Sequence, residues 1–141
     1  MPDILHRVGI AASPERVHAA LTSIDGLRHW WVVQTQGSPQ AQGTIDFEFC
    51  KMKVLEAAPT LVLWQCVDGP PEWIGTEVRF ELSYREDQTF VLFKHAKWKV
   101  PVEFMHHCST KWATFLLSLK DMIERDEGRP SPYDRKIHVG D

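Results

Sequence analysis

Val102–Glu127, VEFMHHCSTKWATFLLSLKDMIERDE, decides how the rest of the chain must be arranged. Cys108, Trp112, Phe115, Leu116, Leu119, Met122 and Ile123 recur at helical spacing and make one broad apolar stripe. Lys111, Thr114, Ser118, Asp121, Glu124 and Arg125 fill the remaining circumference. Gly128 is expected to supply a left-handed cap, and Pro130 follows where a helix could not continue. Such a helix is about 35 Å long, enough to cross a small domain, and its stripe demands a partner surface.

Working outward, the preceding segments supply that surface. Val78, Phe80, Leu82 and Tyr84 alternate with Glu77, Arg79, Glu81 and Arg85, an amphipathic strand. Glu86–Gln88 turns the chain into a strand over Thr89–Trp98, and Leu61–Val67 reads as a strand apolar on both faces, ended by Asp68-Gly69-Pro70-Pro71. Ile45, Phe47 and Phe49 alternate with Asp46 and Glu48, after which the phase flips to Cys50, Met52 and Val54. A period of two cannot absorb that flip without a tight turn or bulge near Cys50–Met52. Gln34–Gly43 is polar with Gly and Pro, hence a loop. Upstream, Ile4–Ala11 forms a first strand with Ile4, His6, Val8 and Ile10 on one face. Ser13-Pro14 opens a short helix with Val17, Leu21 and Ile24 inward. Asp25-Gly26 is expected to break it before a second helical turn at Leu27–Trp31. Residues 129–141 read as a tail, or as an edge strand through Ile137 and Val139.

Strands and helices are segregated in this order, so the fold class is α+β: a curved antiparallel sheet around a long C-terminal helix, with two short helices after the first strand. With 141 residues the whole chain, 1–141, fits a single domain with a core of its own. Hydrophobic residues make up 43% and six tryptophans are present, which suits a packed globule. A net charge of −3 gives no basic footprint and excludes nucleic acid as the expected partner. No apolar run approaches the ~20 residues of a membrane span, and Met1–Val8 has no signal-peptide core, so a cytoplasmic location and no membrane contact are expected. Cys50, Cys66 and Cys108 are odd in number and far apart, so free buried thiols are expected.

The element order resembles the SRPBCC superfamily (START-like, sharing the fold of the major birch pollen allergen). Within it the chain is similar to homologues of the activator of the heat-shock-protein ATPase. The resemblance is carried by Ala12-Ser13-Pro14-Glu15-Arg16-Val17, Trp30-Trp31, Leu63-Trp64, Gly69-Pro70 with Glu72–Val78, Phe93–Trp98 and Cys108–Trp112. It implies a helix-grip fold with an internal cavity. The chain departs from the family pattern in a shorter turn near Cys50–Met52 and in Lys97, where relatives often carry Gly.

The chemistry is sparser than the fold. His106-His107-Cys108 looks like a metal cluster, yet helical neighbours point about 100° apart and cannot converge on one ion, so no metal and no cofactor are expected. If Val91 and Phe93 face inward, the period of two carries His95 inward as well. There it is either a hydrogen-bond handle or base with a lowered pKa, or a core histidine satisfied by a backbone carbonyl. No acid–base carboxylate pair, nucleophile elbow or phosphate loop is present. Trp30, Trp31 and Trp73 sit beside loops where they could rim a pocket. The expected ligand-binding set is Trp30, Trp31, Phe47, Phe49, Trp64, Phe80, Phe93, His95, Trp112 and Leu116. Three functions follow: a binder of a small hydrophobic, aromatic or lipid-like molecule, a polyketide cyclase or hydrolase using the same cavity, or a co-chaperone module stimulating a heat-shock ATPase. An open apolar cavity favours the first, two polar groups within mutual reach the second, and a filled core the third. Leu117 lies opposite the stripe and would be exposed, consistent with a monomer or a weak homodimer.

Overall fold

A computed structural model describes residues 2–141. Strand β1 (Ile4–Ile10) leads into helices α1 (Pro14–Leu21) and α2 (Ile24–Trp30). Strands β2 (Gln36–Gly37), β3 (Thr44–Asp46), β4 (Lys51–Ala58), β5 (Leu61–Asp68), β6 (Glu77–Arg85) and β7 (Gln88–Ala96) follow, and helix α3 (Glu103–Arg125) comes last. The seven strands form one antiparallel sheet in the order β1-β7-β6-β5-β4-β3-β2. β1 closes against β7, with Ile4 opposite His95 and Val8 opposite Val91, so both ends of the chain's strand run meet at one edge. The sheet curves around α3, the helix-grip arrangement.

Local chemistry explains most boundaries. Ser13 caps α1, its Oγ accepting from the Arg16 amide at 3.3 Å, and Pro14 occupies the first turn, where its missing N–H costs nothing. Asp25-Gly26 does not break the helical region. Ser23 starts α2 instead, accepting from the Gly26 amide at 3.0 Å, so Asp25 and Gly26 lie in its first turn. Glycine is required there because a Cβ would stand 2.9 Å from Ala20 Cα, where α1 and α2 touch. The β6–β7 turn runs through Glu86 and Asp87, both with positive φ, the two-residue hairpin geometry whose twist matches its strands.

The phase flip is resolved by a turn at Phe47–Cys50, where the Phe47 amide donates to Cys50 O at 2.8 Å and Glu48 is left-handed (φ 74°). A register shift between Lys51 and Met52 completes it. This corrects the expectation for Phe49. The alternation ends one residue before it, and the turn swings the ring to a position 46% exposed. Tyr84, expected inward, is 56% exposed near the end of β6. β5 is not apolar-buried on both faces either: Val62, Trp64 and Cys66 are inside, whereas Leu61 and Leu63 are only half-buried and Val67 is exposed.

Helix α3 buries the predicted stripe: Cys108, Trp112, Phe115, Leu116, Leu119 and Ile123 face the sheet and the short helices. Its left-handed cap is Asp126 (φ 61°), not Gly128. Aspartate is one of the few residues besides glycine that enters this region readily. Gly128 serves the packing instead, since a Cβ would meet the His29 carbonyl oxygen at 2.0 Å. Ile137 and Val139 form no edge strand. The terminal segment folds back across α2 and α3: the Ser131 amide donates to Trp31 O at 2.7 Å, and the Arg129 amide donates to Ser118 Oγ at 2.7 Å. The three cysteines are free, buried thiols. Burial pushes Cys108 up to about 11 and raises Cys50 and Cys66 as well, so none is a thiolate near neutral pH.

Candidate functional site

The inner face of the sheet carries the predicted rings, and they fill the interior. Trp31 lies 4.2 Å from Phe47 and 4.8 Å from Trp112 between ring centroids, and is stacked on Trp64 at 5.9 Å. Phe93 meets Trp112 at 4.6 Å and Phe80 at 5.4 Å, and Trp30 meets Phe80 edge-on. Trp30 also donates its indole N–H to the Ala20 carbonyl at 2.9 Å, which ties α2 to α1. Trp30, Trp31, Phe47, Trp64, Phe80, Phe93, Trp112, Leu116 and His95 are all buried. They constitute the core.

His95 faces inward from β7, as the strand period requires, and both of its ring nitrogens are engaged. Trp112 Nε1, which can only donate, approaches Nδ1 at 3.1 Å. Nδ1 is therefore the acceptor and Nε2 carries the proton, donated to Thr76 Oγ1 at 2.8 Å. Thr76 in turn donates to the Trp73 carbonyl at 2.6 Å. The chain of bonds links α3, β7 and the loop before β6 in one direction, and of the two readings open for His95 it gives a core histidine satisfied by side chains and not by a backbone carbonyl. Burial without a neighbouring carboxylate drives the His95 pKa down to about 3, so the ring is neutral and structural at ordinary pH.

A pocket of about 290 Å³ opens beside this core rather than within it. Trp31, Phe49, Trp73, Trp112 and Phe115 make its apolar floor, with Pro70 and Phe104 at the edges. Of the ten predicted ligand residues, Trp31, Phe49 and Trp112 line it. Phe49, although displaced, walls the pocket by packing edge-on against Trp73 at 5.5 Å and Trp31 at 5.9 Å. Trp73 is stacked on Trp112 at 6.1 Å and donates to Cys108 Sγ at 3.4 Å, which anchors its ring to α3.

The opposite wall is charged: Lys111 from α3 faces Asp134, Lys136 and Asp141 of the terminal segment. Lys111 Nζ donates to Asp134 and, at 2.8 Å, to Asp141, while Lys136 reaches the other Asp134 oxygen at 3.2 Å. Burial is the largest single influence on Asp134 and Asp141 and would raise both pKa values, yet the hydrogen bonds from Lys111, joined by Lys136 at Asp134 and by the Ile137 amide at Asp141, together with the Lys111 charge hold both below the ordinary carboxylate value. Burial likewise opposes the charge on Lys111, and the two carboxylates more than restore it. The ammonium also lies 5.6 Å from the Phe115 ring centroid, so its charge borders the aromatic floor.

The sequence carried part of this site in plain view. Phe104, Cys108, Lys111 and Phe115 follow one another at helical spacing along one edge of the stripe. Asp134 and Asp141 had no such signal, because their partner Lys111 is 23 and 30 residues away.

No helix among the described residues is long and apolar enough to cross a membrane. The sequence matches no protein-family model, and no curated protein matches it. Among solved structures it is 45% identical to Aha1 from Colwellia psychrerythraea, solved in solution as a dimer, over 91% of this chain and 100% of that one, with a TM-score of 0.84. CalU16 from Micromonospora echinospora is 22% identical over 88% of this chain and 77% of its own, with a TM-score of 0.72. SSP2350 from Staphylococcus saprophyticus is 14% identical over 92% and 98%, with a TM-score of 0.77. The last two share the fold alone. Since it spans the Colwellia protein end to end at 45% identity, on the same helix-grip frame, the chain belongs to the Aha1-like group of the SRPBCC superfamily.

Proposed function

We propose that the chain binds a small amphipathic molecule, a flat apolar group bearing a polar end, in the pocket between α3 and the terminal segment. One observation carries this reading: a continuous aromatic floor adjoins the Lys111–Asp134–Asp141 cluster within a single half-open pocket. Pockets that bind small molecules combine these two features, an apolar body with a few convergent polar groups. Burying about 200 Å² of ligand at roughly 25 cal/mol per Å² supplies about 5 kcal/mol before entropy costs, and a hydrogen bond to Lys111 adds direction. Affinity no tighter than the high-micromolar range for a fused-ring carboxylate is the expectation. A panel of naphthalene and indole carboxylates should raise the melting temperature and quench tryptophan fluorescence, because three indoles lie in the floor. Trp73→Leu should weaken that response, whereas Leu117→Gln on the far, exposed face of α3 should not. A panel that moves neither signal defeats the reading.

The cyclase or hydrolase alternative loses its base. His95 does not line the pocket, and both its nitrogens are occupied by Trp112 and Thr76. A surface-acting module is the second reading, supported by the filled interior and by membership of the Aha1-like group. It covers self-association too, since the 45% identical relative was solved as a dimer. Phe49, Val67 and Ile74, each about half exposed (46%, 45% and 45%), supply apolar surface at one end of the sheet. Sedimentation over a range of concentrations tests self-association. A dimer that Ile74→Lys dissociates supports it, and a monomer at every concentration removes it.

A further inference from the structure

We propose that His107, His138 and Asp141 form a site for a divalent transition-metal ion that pins the terminal segment to α3. One ligand atom from each lies within 4.8 Å of the other two, and the two imidazole centroids are 5.4 Å apart. The apparent cluster at His106-His107-Cys108 contributes only its middle member; the other ligands arrive from the far end of the chain.

Each donor is prepared for an ion. His138 Nδ1 lies 2.8 Å from the Val139 carbonyl, so Nδ1 carries the proton and Nε2 presents its lone pair outward. A backbone carbonyl holding the non-ligating nitrogen is the usual support of a metal-bound histidine. The His107 ring nitrogens have no hydrogen-bond partner among the described residues, and the ring is held by stacking on Phe104 at 5.6 Å and 10°. Asp141 Oδ2 accepts from Lys111 at 2.8 Å and from the Ile137 amide at 2.9 Å, while Oδ1 accepts from no described residue. Lys111 is not left to repel the ion, because Asp134 shares its charge.

Two imidazoles and one carboxylate suit zinc, cobalt or nickel rather than calcium or magnesium. Metal–ligand bonds of about 2.0–2.2 Å place tetrahedral ligand atoms roughly 3.3 Å apart. Binding would therefore draw the exposed His138 ring and the largely covered Asp141 carboxylate together by about 1 Å, with water completing the shell. His107 and Asp141 also line the pocket, so the ion would sit beside the polar end of a pocket ligand, and zinc is tested with no such ligand present.

The test uses the full chain stripped with chelator. Cobalt should bind one ion per chain with the visible absorption of a low-symmetry site, and zinc titrated by calorimetry should bind at micromolar concentrations and raise the melting temperature. His107→Ala and His138→Ala should each weaken zinc at least tenfold, and His106→Ala should leave it unchanged. His138 is exposed on the terminal segment, so its variant remains informative if His107→Ala fails to fold. Zinc affinity unaltered by His138→Ala, or reduced equally by His106→Ala, overturns the site.

Discussion

The neutral, buried His95 makes a quantitative demand on stability below pH 7. Its ordinary pKa of 6.5 falls to about 3 in the folded protein because burial penalises the charged ring. A base with a depressed folded pKa binds its proton mainly in the unfolded state, so acid favours unfolding. The stabilising contribution is complete above about pH 6.5 and is lost progressively down to about pH 3. At about pH 4.5 the folded ring is still neutral, and the loss is set by the unfolded value alone. Two pH units below 6.5 at about 1.4 kcal/mol each give a loss of about 2.7 kcal/mol. By about pH 3 the loss approaches 5 kcal/mol, a large part of the ~5–15 kcal/mol that holds a domain together.

The assay is denaturant unfolding at about pH 8 and about pH 4.5, for the wild type and for His95→Asn. Asparagine keeps an acceptor near the position of Nδ1 for the Trp112 N–H, and Thr76 retains its own bond to the Trp73 carbonyl. The variant will be less stable at every pH because the side chain is smaller. Its pH slope is what matters. The depressed carboxylates of Asp134 and Asp141 are the same in both proteins, so they cancel in the difference. The wild type should lose about 2.7 kcal/mol more than the variant over this interval. Parallel stability curves would refute a neutral, desolvated His95 and reopen it as a group in contact with water.

Three further outcomes follow from the packing. Trp112→Ala removes a buried indole and strands the His95 acceptor, so it should cost about 3–5 kcal/mol in chemical denaturation, and a loss under about 1 kcal/mol would mean this face of α3 is not buried. Lys97 has a left-handed backbone (φ 68°), so Lys97→Gly should raise stability by about 1 kcal/mol despite losing the pair with Glu77. Equal or lower stability would count against strain there. Lys111→Met leaves Asp134, whose side chain is 3% exposed, with Lys136 as its one remaining ion-pair partner among the described residues. It should cost about 2–3 kcal/mol, and adding Asp134→Asn should recover part of that, whereas additive losses would deny the coupling.

What could be read from the chain alone depended on whether the signal was periodic. The α3 stripe and the inward positions of Val91, Phe93 and His95 are fixed by 3.6- and 2-residue periods, which any window of the chain displays. Breaks in period were harder to read. Glu48 and Asp126 enter the left-handed region without being glycine, so Phe49 was assigned to the wrong face and the cap of α3 to Gly128. Pairings such as Lys111 with Asp134 and Asp141 had no local trace at all, and the terminal segment looked like a tail. The cavity is a separate matter, because periodicity tells which face a side chain takes but not how much volume the opposing faces leave. All six tryptophans are buried in one cluster, and within it Trp30, Trp31, Trp64 and Trp112 meet Phe47, Phe80 and Phe93 at ordinary contact distances. The open space consequently lies at the edge of the aromatic cluster, where Phe49, Trp73 and Phe115 give way to Lys111 and its carboxylates.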